Sequence, residues 1–216
     1  MFRYQISDLS SRMIALSLIV TSLFFTHALY AWEIDLAEMY LEASTGNVQY
    51  KTPDDFLFSG DSYDNEQGVQ ILLGVPFKRA DDNLVSVEAF YTYLGAAEDE
   101  VLANNILSEA SVESSVAALG LRLGQKVGGH AFISTRFGVH YWSSEVSVQS
   151  VSTLTNTSLL NDSSDDDGLH LYGGLSLTYF ISEHLFVSGG GQVLTLDIEG
   201  DDVYVTNYYL GIGAKL

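Results

Sequence analysis

Apolar and polar positions alternate with a period of two along much of this chain, most fully between Val116 and Trp142. Ala117, Leu119, Leu121 and Leu123 share one face there, opposite Ala118, Gly120, Arg122 and Gly124. After a short turn from Lys126 to Gly129, the residues Ala131, Ile133, Thr135, Phe137, Val139 and Tyr141 form a second apolar face. Opposite them lie Phe132, Ser134, Arg136, Gly138, His140 and Trp142. The pair predicts a β-hairpin whose polar faces each carry one arginine among small residues. Similar segments at 38–49, 67–76, 84–95, 113–125, 130–143, 168–181, 184–197 and 203–216 predict eight strands.

Connections between the segments alternate in length. Those after the second, fourth and sixth are short: Phe77 to Asn83, Lys126 to Gly129, and Ser182 to Glu183. Those after the first, third and fifth are long, and Ser144 to Asp167 is the longest and richest in Ser, Thr, Asn and Asp. Short turns at one end and long loops at the other predict an eight-stranded antiparallel up-and-down transmembrane β-barrel, all-β, with the turns facing the periplasm. A soluble β-barrel binding module in the periplasm alternates in the same way, with its apolar face inward. The composition of the polar face argues against it: few charges, many Gly, Ser and Thr, a filling suited to a narrow lumen. Tyr91, Tyr93, Tyr141 and Tyr179 lie near the ends of the apolar face, where aromatic girdles meet the bilayer interfaces.

Residues 1–31 read as a cleaved signal peptide: Arg3 and Arg12 precede an apolar stretch from Met13 to Phe25, and Ala28 and Ala31 both offer a cleavage point. The barrel domain is then expected over 32–216. Removing 1–31 takes Arg3, Arg12 and Asp8 from 9 basic and 28 acidic residues, leaving seven and 27, a net charge of −20. Such a balance excludes a nucleic-acid partner, which needs clustered Lys and Arg. With 0 cysteines there is no disulfide and no thiolate metal site. Five acids fall in 50–66, four in 96–112, five in 144–167 and four in 197–202, with Lys51 the one base among them. These acidic loops are expected to face outward, meeting lipopolysaccharide phosphates through Mg²⁺ or Ca²⁺.

Glu88, Arg122 and Arg136 lie on three consecutive segments with the same inward parity. They predict a polar network in the lumen, because an unpaired charge in that interior would cost several kcal/mol. Eight strands leave an interior just wide enough for side chains, so the network is expected to fill the lumen rather than to gate it. Neither a catalytic nor a metal site is expected, nor any cofactor. His140, Ser143 and Glu145 come nearest to a Ser/His/acid set, but parity puts His140 inward and the other two on the outer side. The run from Asn161 to Gly168 is acidic, yet aligning the glycine of a calcium loop to Gly168 places Ser163 first and Gly174 last, so it does not fit.

In several stretches the chain resembles the OmpA-type eight-stranded outer-membrane barrel family: VSVEAFYTYLG at 85–95, VAALGLRLG at 116–124, STRFGVHYW at 134–142, SLTYFISEHLFVSGGG at 176–191 and YYLGIGAKL at 208–216. The resemblance implies the barrel fold, an inward glutamate at Glu88, an inward base at Arg122, and a C-terminal assembly signal matched by Gly211, Ala214 and Leu216. It departs from the family in the terminal Leu216, where an aromatic is usual, and at Thr178 and Ser188, where family members pair further inward charges. The barrel alone is expected, without the peptidoglycan-binding domain that some members carry. The functional expectation is a monomeric, non-enzymatic barrel serving envelope integrity or surface interaction and adhesion. A narrow, porin-like channel or small-ligand uptake barrel is the alternative.

Overall fold

The computed structural model describes residues 33–34, 38–51, 63–78, 83–155, 157–198 and 201–216. The signal-peptide segment 1–31 lies outside them. The chain divides into two compact units, 1–34 and 35–216. In the first, a two-residue strand, β1 (Glu33–Ile34), is described.

The second unit holds eight long strands: β2 (Tyr40–Lys51), β3 (Tyr63–Lys78), β4 (Asn83–Ala103), β5 (Ile106–Gly128), β6 (Ala131–Ser152), β7 (Thr157–Phe180), β8 (Leu185–Ile198) and β9 (Asp201–Lys215). Each pairs antiparallel with its sequence neighbours, and β2 pairs with β9 from Tyr40↔Lys215 to Lys51↔Tyr204. The eight therefore close into a barrel, which satisfies the backbone along the wall without a helix. Among the described residues no helix is long and apolar enough to cross a membrane.

Alternation sorts the side chains as the sequence predicts. Leu41, Ile71, Leu119, Leu123, Phe137, Val139, Leu175, Leu177, Leu210 and Ile212 are exposed on the outer wall, the surface that meets lipid. Tyr91, Tyr141, Tyr179, Tyr204 and Tyr208 are exposed on the same face. Glu42, Ser44, Gln70, Ser86, Glu88, Arg122, Ser134 and Arg136 are buried inside.

Two expectations are corrected. The stretches 96–112 and 144–167 are not long loops, because β4 to β7 run through most of them. Their Ser- and acid-rich composition suggests loops, but a backbone ladder is indifferent to side-chain polarity as long as each N–H and C=O finds its partner. The β4–β5 hairpin closes on Asn104 and Asn105, with φ of 51° and 64°. Two successive left-handed residues form the tight turn that suits a hairpin's twist. Serine hydroxyls then rung β5 to β6 at Ser114–Ser144 (2.7 Å), Ser111–Ser147 (3.0 Å) and Ser108–Ser150 (2.9 Å).

The interior is also not polar throughout. At the loop end Val48, Leu94, Val116, Trp142, Leu194 and Val205 pack into a layer in which each is at most 1% exposed. Full burial of one such side chain contributes about 1.5–3 kcal/mol relative to water. Parity in β4 slips where the register shifts between Tyr93 and Ala96, with Gly95 at φ 84° supplying the left-handed bulge residue. Leu94 keeps the inward parity of Glu88, the slip turns Ala97 inward, and both are buried.

Candidate functional site

Two features stand out: a charged network across the turn-side half of the lumen, and a sheet projecting from the loop side. The network begins with a repulsive juxtaposition, since Arg122 of β5 and Arg136 of β6 are direct cross-strand neighbours on the inner face. Glu88 of β4 resolves it. Its Oε1 accepts hydrogen bonds from Arg122 Nη1 (3.4 Å) and from the Tyr40 hydroxyl (2.5 Å), and its Oε2 lies 3.0 Å from Arg136 Nε. Gly74 and Gly120 flank Glu88 across the ladder, the first leaving room for the Tyr40 ring and the second for the Tyr172 hydroxyl.

Arg136 extends further. Its Nη2 donates to Glu42 Oε2 (3.4 Å) and its Nη1 to the Tyr209 hydroxyl (2.5 Å), while Ser188 donates to Glu42 Oε1 (2.7 Å). Arg122 Nη2 donates to Thr178 Oγ1 (2.6 Å), and the Tyr40 hydroxyl is 2.9 Å from Ser86 Oγ. Two carboxylates thus balance two guanidinium groups, and the set draws on β2 and every strand from β4 to β9. All four ionic side chains are at most 2% exposed.

The structure therefore brings Glu88, Arg122 and Arg136 together, and adds Glu42, Tyr40 and Tyr209. Glu42 shares the inward parity of its segment, a signal present in the sequence. Its partner lies across the lumen, however, and periodicity along a strand carries no information about reach across a barrel. Thr178 and Ser188, where family members carry further inward charges, serve here as neutral hydrogen-bonding ends of the same network.

His140 is buried and donates from Nε2 to the Thr195 carbonyl (2.9 Å), whereas Ser143 and Glu145 are exposed on the outer face. The three do not converge. Among the described residues, no group of three or more His, Asp or Glu side chains is arranged to hold a metal ion.

The projecting sheet follows from unequal pairing. Among the described residues, β4 pairs with β3 up to Val69↔Tyr93, and β7 pairs with β8 from Tyr172↔Leu194. Beyond those points β4 to β7 continue as a four-stranded sheet, whose edges among the described residues run along 96–103 and 157–171. Its end is tied by the Thr153 amide donating to the Asn105 carbonyl (2.8 Å). Leu102, Leu154, Leu159 and Leu160 are exposed there, from 48% to 78%. Below this apolar tip Glu113, Glu145 and Asp165 stand side by side on three adjacent strands, all exposed.

A lipid-facing closed barrel, a charge-filled lumen and unequal ends define an architecture that comparison with known proteins places. The family model for the outer membrane protein beta-barrel domain matches residues 16–215. The chain belongs to this family. It is an OmpA-like barrel of the Gram-negative outer membrane. The attachment invasion locus protein Ail of Yersinia pestis is similar at 14% identity and a TM-score of 0.51, covering 83% of this chain and 99% of that one. Its complex with the heparin analogue sucrose octasulfate gives 13%, 0.50, 83% and 99% respectively. Neisserial surface protein A is similar at 11% identity and a TM-score of 0.45, covering 85% of this chain and 99% of that one. No curated protein matches the sequence. Membership of the family sets aside the soluble periplasmic module.

Proposed function

We propose that the protein is a monomeric, non-enzymatic surface barrel whose projecting β4–β7 sheet engages a partner outside the cell, in surface interaction or adhesion. The observation that carries this reading is the sheet itself, with two edges and an apolar tip of Leu102, Leu154, Leu159 and Leu160. Strand edges present unpaired N–H and C=O groups to which another chain can add a strand. Exposed apolar side chains at the tip give such an encounter a hydrophobic anchor.

Charge narrows the partner. Segments 96–112 and 144–167 carry nine acids and no Lys or Arg. A polyanion such as the heparin analogue bound by Ail would be repelled here, so the partner we propose is a protein surface with basic residues. The same acidic segments are proposed to meet lipopolysaccharide phosphates through Mg²⁺ or Ca²⁺. This second contact would serve envelope integrity. Residues 1–31 are proposed to be removed on export, and Glu88, Arg122 and Arg136 to plug the lumen.

The test is adhesion of bacteria expressing the chain to cultured epithelial cells. A Leu102→Asp, Leu154→Asp, Leu159→Asp variant at equal surface abundance is expected to adhere about tenfold less, as when anchor residues are lost from an interface. Equal adhesion by expressing and non-expressing cells would remove the reading. For the cation bridge, calorimetry on the refolded protein should show millimolar Mg²⁺ binding, and absence of heat would refute it.

A further inference from the structure

We propose that the turn-side mouth of the barrel is a binding site for a small organic anion with an aromatic or apolar body, entering from the periplasm. A cavity of about 740 Å³ opens there, within the range typical of small-molecule sites. Its walls are Phe132, Phe180 and Phe186, whose rings meet at 5.7 Å and 5.5 Å between centroids. Such faces and edges receive a flat ring or an alkyl chain in the same geometry. Exposed turn residues Gly129, Ser182 and Glu183 frame the opening, which places it on the periplasmic side.

Charge selects the other half of the ligand. Among the described residues the cavity is lined by three cationic side chains, Arg122, Lys126 and Lys215, and by two acids, Glu38 and Glu183. His130 and His184 stand at the same mouth. Among the described residues, cationic groups outnumber acids at this mouth of a strongly negative chain. Arg122 is 1% exposed, and although Glu88 and Thr178 hold its two terminal nitrogens, its Nε has no hydrogen-bond partner. A buried N–H in that position favours an acceptor, and a charged one doubly so. Lys215 bonds Glu38 at 2.6 Å and sits 5.4 Å above the Phe180 ring, joining the cationic rim to the aromatic wall. The apolar layer at the loop end closes the far side, so the ligand binds and leaves by the same mouth.

The experiment is an NMR titration of the full refolded chain in nanodiscs with naphthalene-2-carboxylate and, as the neutral counterpart, 2-naphthylmethanol. The carboxylate should give saturable amide shifts at Gly129, Phe132, Ser182 and Phe186, with the alcohol about tenfold weaker, as a charge-assisted contact requires. A Lys126→Ala, Lys215→Ala variant with unchanged heat-modifiable mobility should lose about fivefold in affinity, the scale of partly exposed charge contacts. Shifts that do not saturate, that are equal for both compounds, or that fall on lipid-facing residues such as Leu119 would overturn the proposal. So would an unchanged affinity in the folded double variant.

Discussion

Within the barrel wall and beyond it, strands β4 to β7 are the same continuous ladder with opposite contents. In the wall, Leu119, Phe137, Val139 and Leu177 face outward, while Glu88, Arg122, Arg136 and Thr178 are buried inside. Past Tyr93 and Val116 the charges change sides: Glu98, Glu113, Glu145 and Asp165 face outward, and Ala97, Ala110, Val112 and Val146 are buried. Solvent outside the strand sets its polarity, hydrocarbon in one part and water in the other. The level at which the alternation inverts marks the membrane surface on this protein, close to Tyr141, whose hydroxyl donates to Asp167 at 2.9 Å.

The largest effects are expected from inside the barrel. Glu88→Gln leaves two buried guanidinium groups with one carboxylate between them and is expected to cost about 3–5 kcal/mol, read as a lower urea midpoint in refolding experiments. Leu194→Ala removes a fully buried member of the apolar layer and should cost about 2–5 kcal/mol in the same assay, with the charged half of the lumen left intact. On the outer wall, Leu119→Arg is expected to cost about 2–4 kcal/mol because it meets hydrocarbon. The smallest effect belongs to the projecting sheet: Glu145→Arg, between Glu113 and Asp165, should change stability by no more than about 0.5 kcal/mol, in the stabilising direction. A large loss for Glu145→Arg would place that row inside the membrane and move the inversion level outward.

Much of this arrangement is legible in the sequence, and the limits are physical. Strand number, wall orientation and the inward parity of Glu88, Arg122 and Arg136 follow from a period of two and from turn lengths. The extension of β5 and β6 is hidden because Ile106 to Val112 and Ser144 to Ser152 carry no Gly, Pro, Asn or Asp, yet their Ser and Glu content imitates a loop. Glu42 and Tyr209 are hidden differently. Their contacts with Arg136 span the lumen between strands that are not neighbours, and no local pattern encodes such a distance. The burial of Ala97 is obscured by one residue, Gly95, beyond whose left-handed φ the inward set of β4 shifts by one position.

The lumen network also has a consequence in time. Glu42 lies on the first strand of the barrel and Tyr209 on the last, and Arg136 between them reaches both. These groups meet only after β2 and β9 have zipped together, so their bonds are absent while the sheet is still open. Interactions formed after the rate-limiting step leave the folding rate almost untouched and slow the reverse reaction. Bonds of Arg136 to Glu42 and Tyr209 thus belong to the closed barrel alone, whereas Glu88, Arg122 and Arg136 already meet across the adjacent strands β4 to β6.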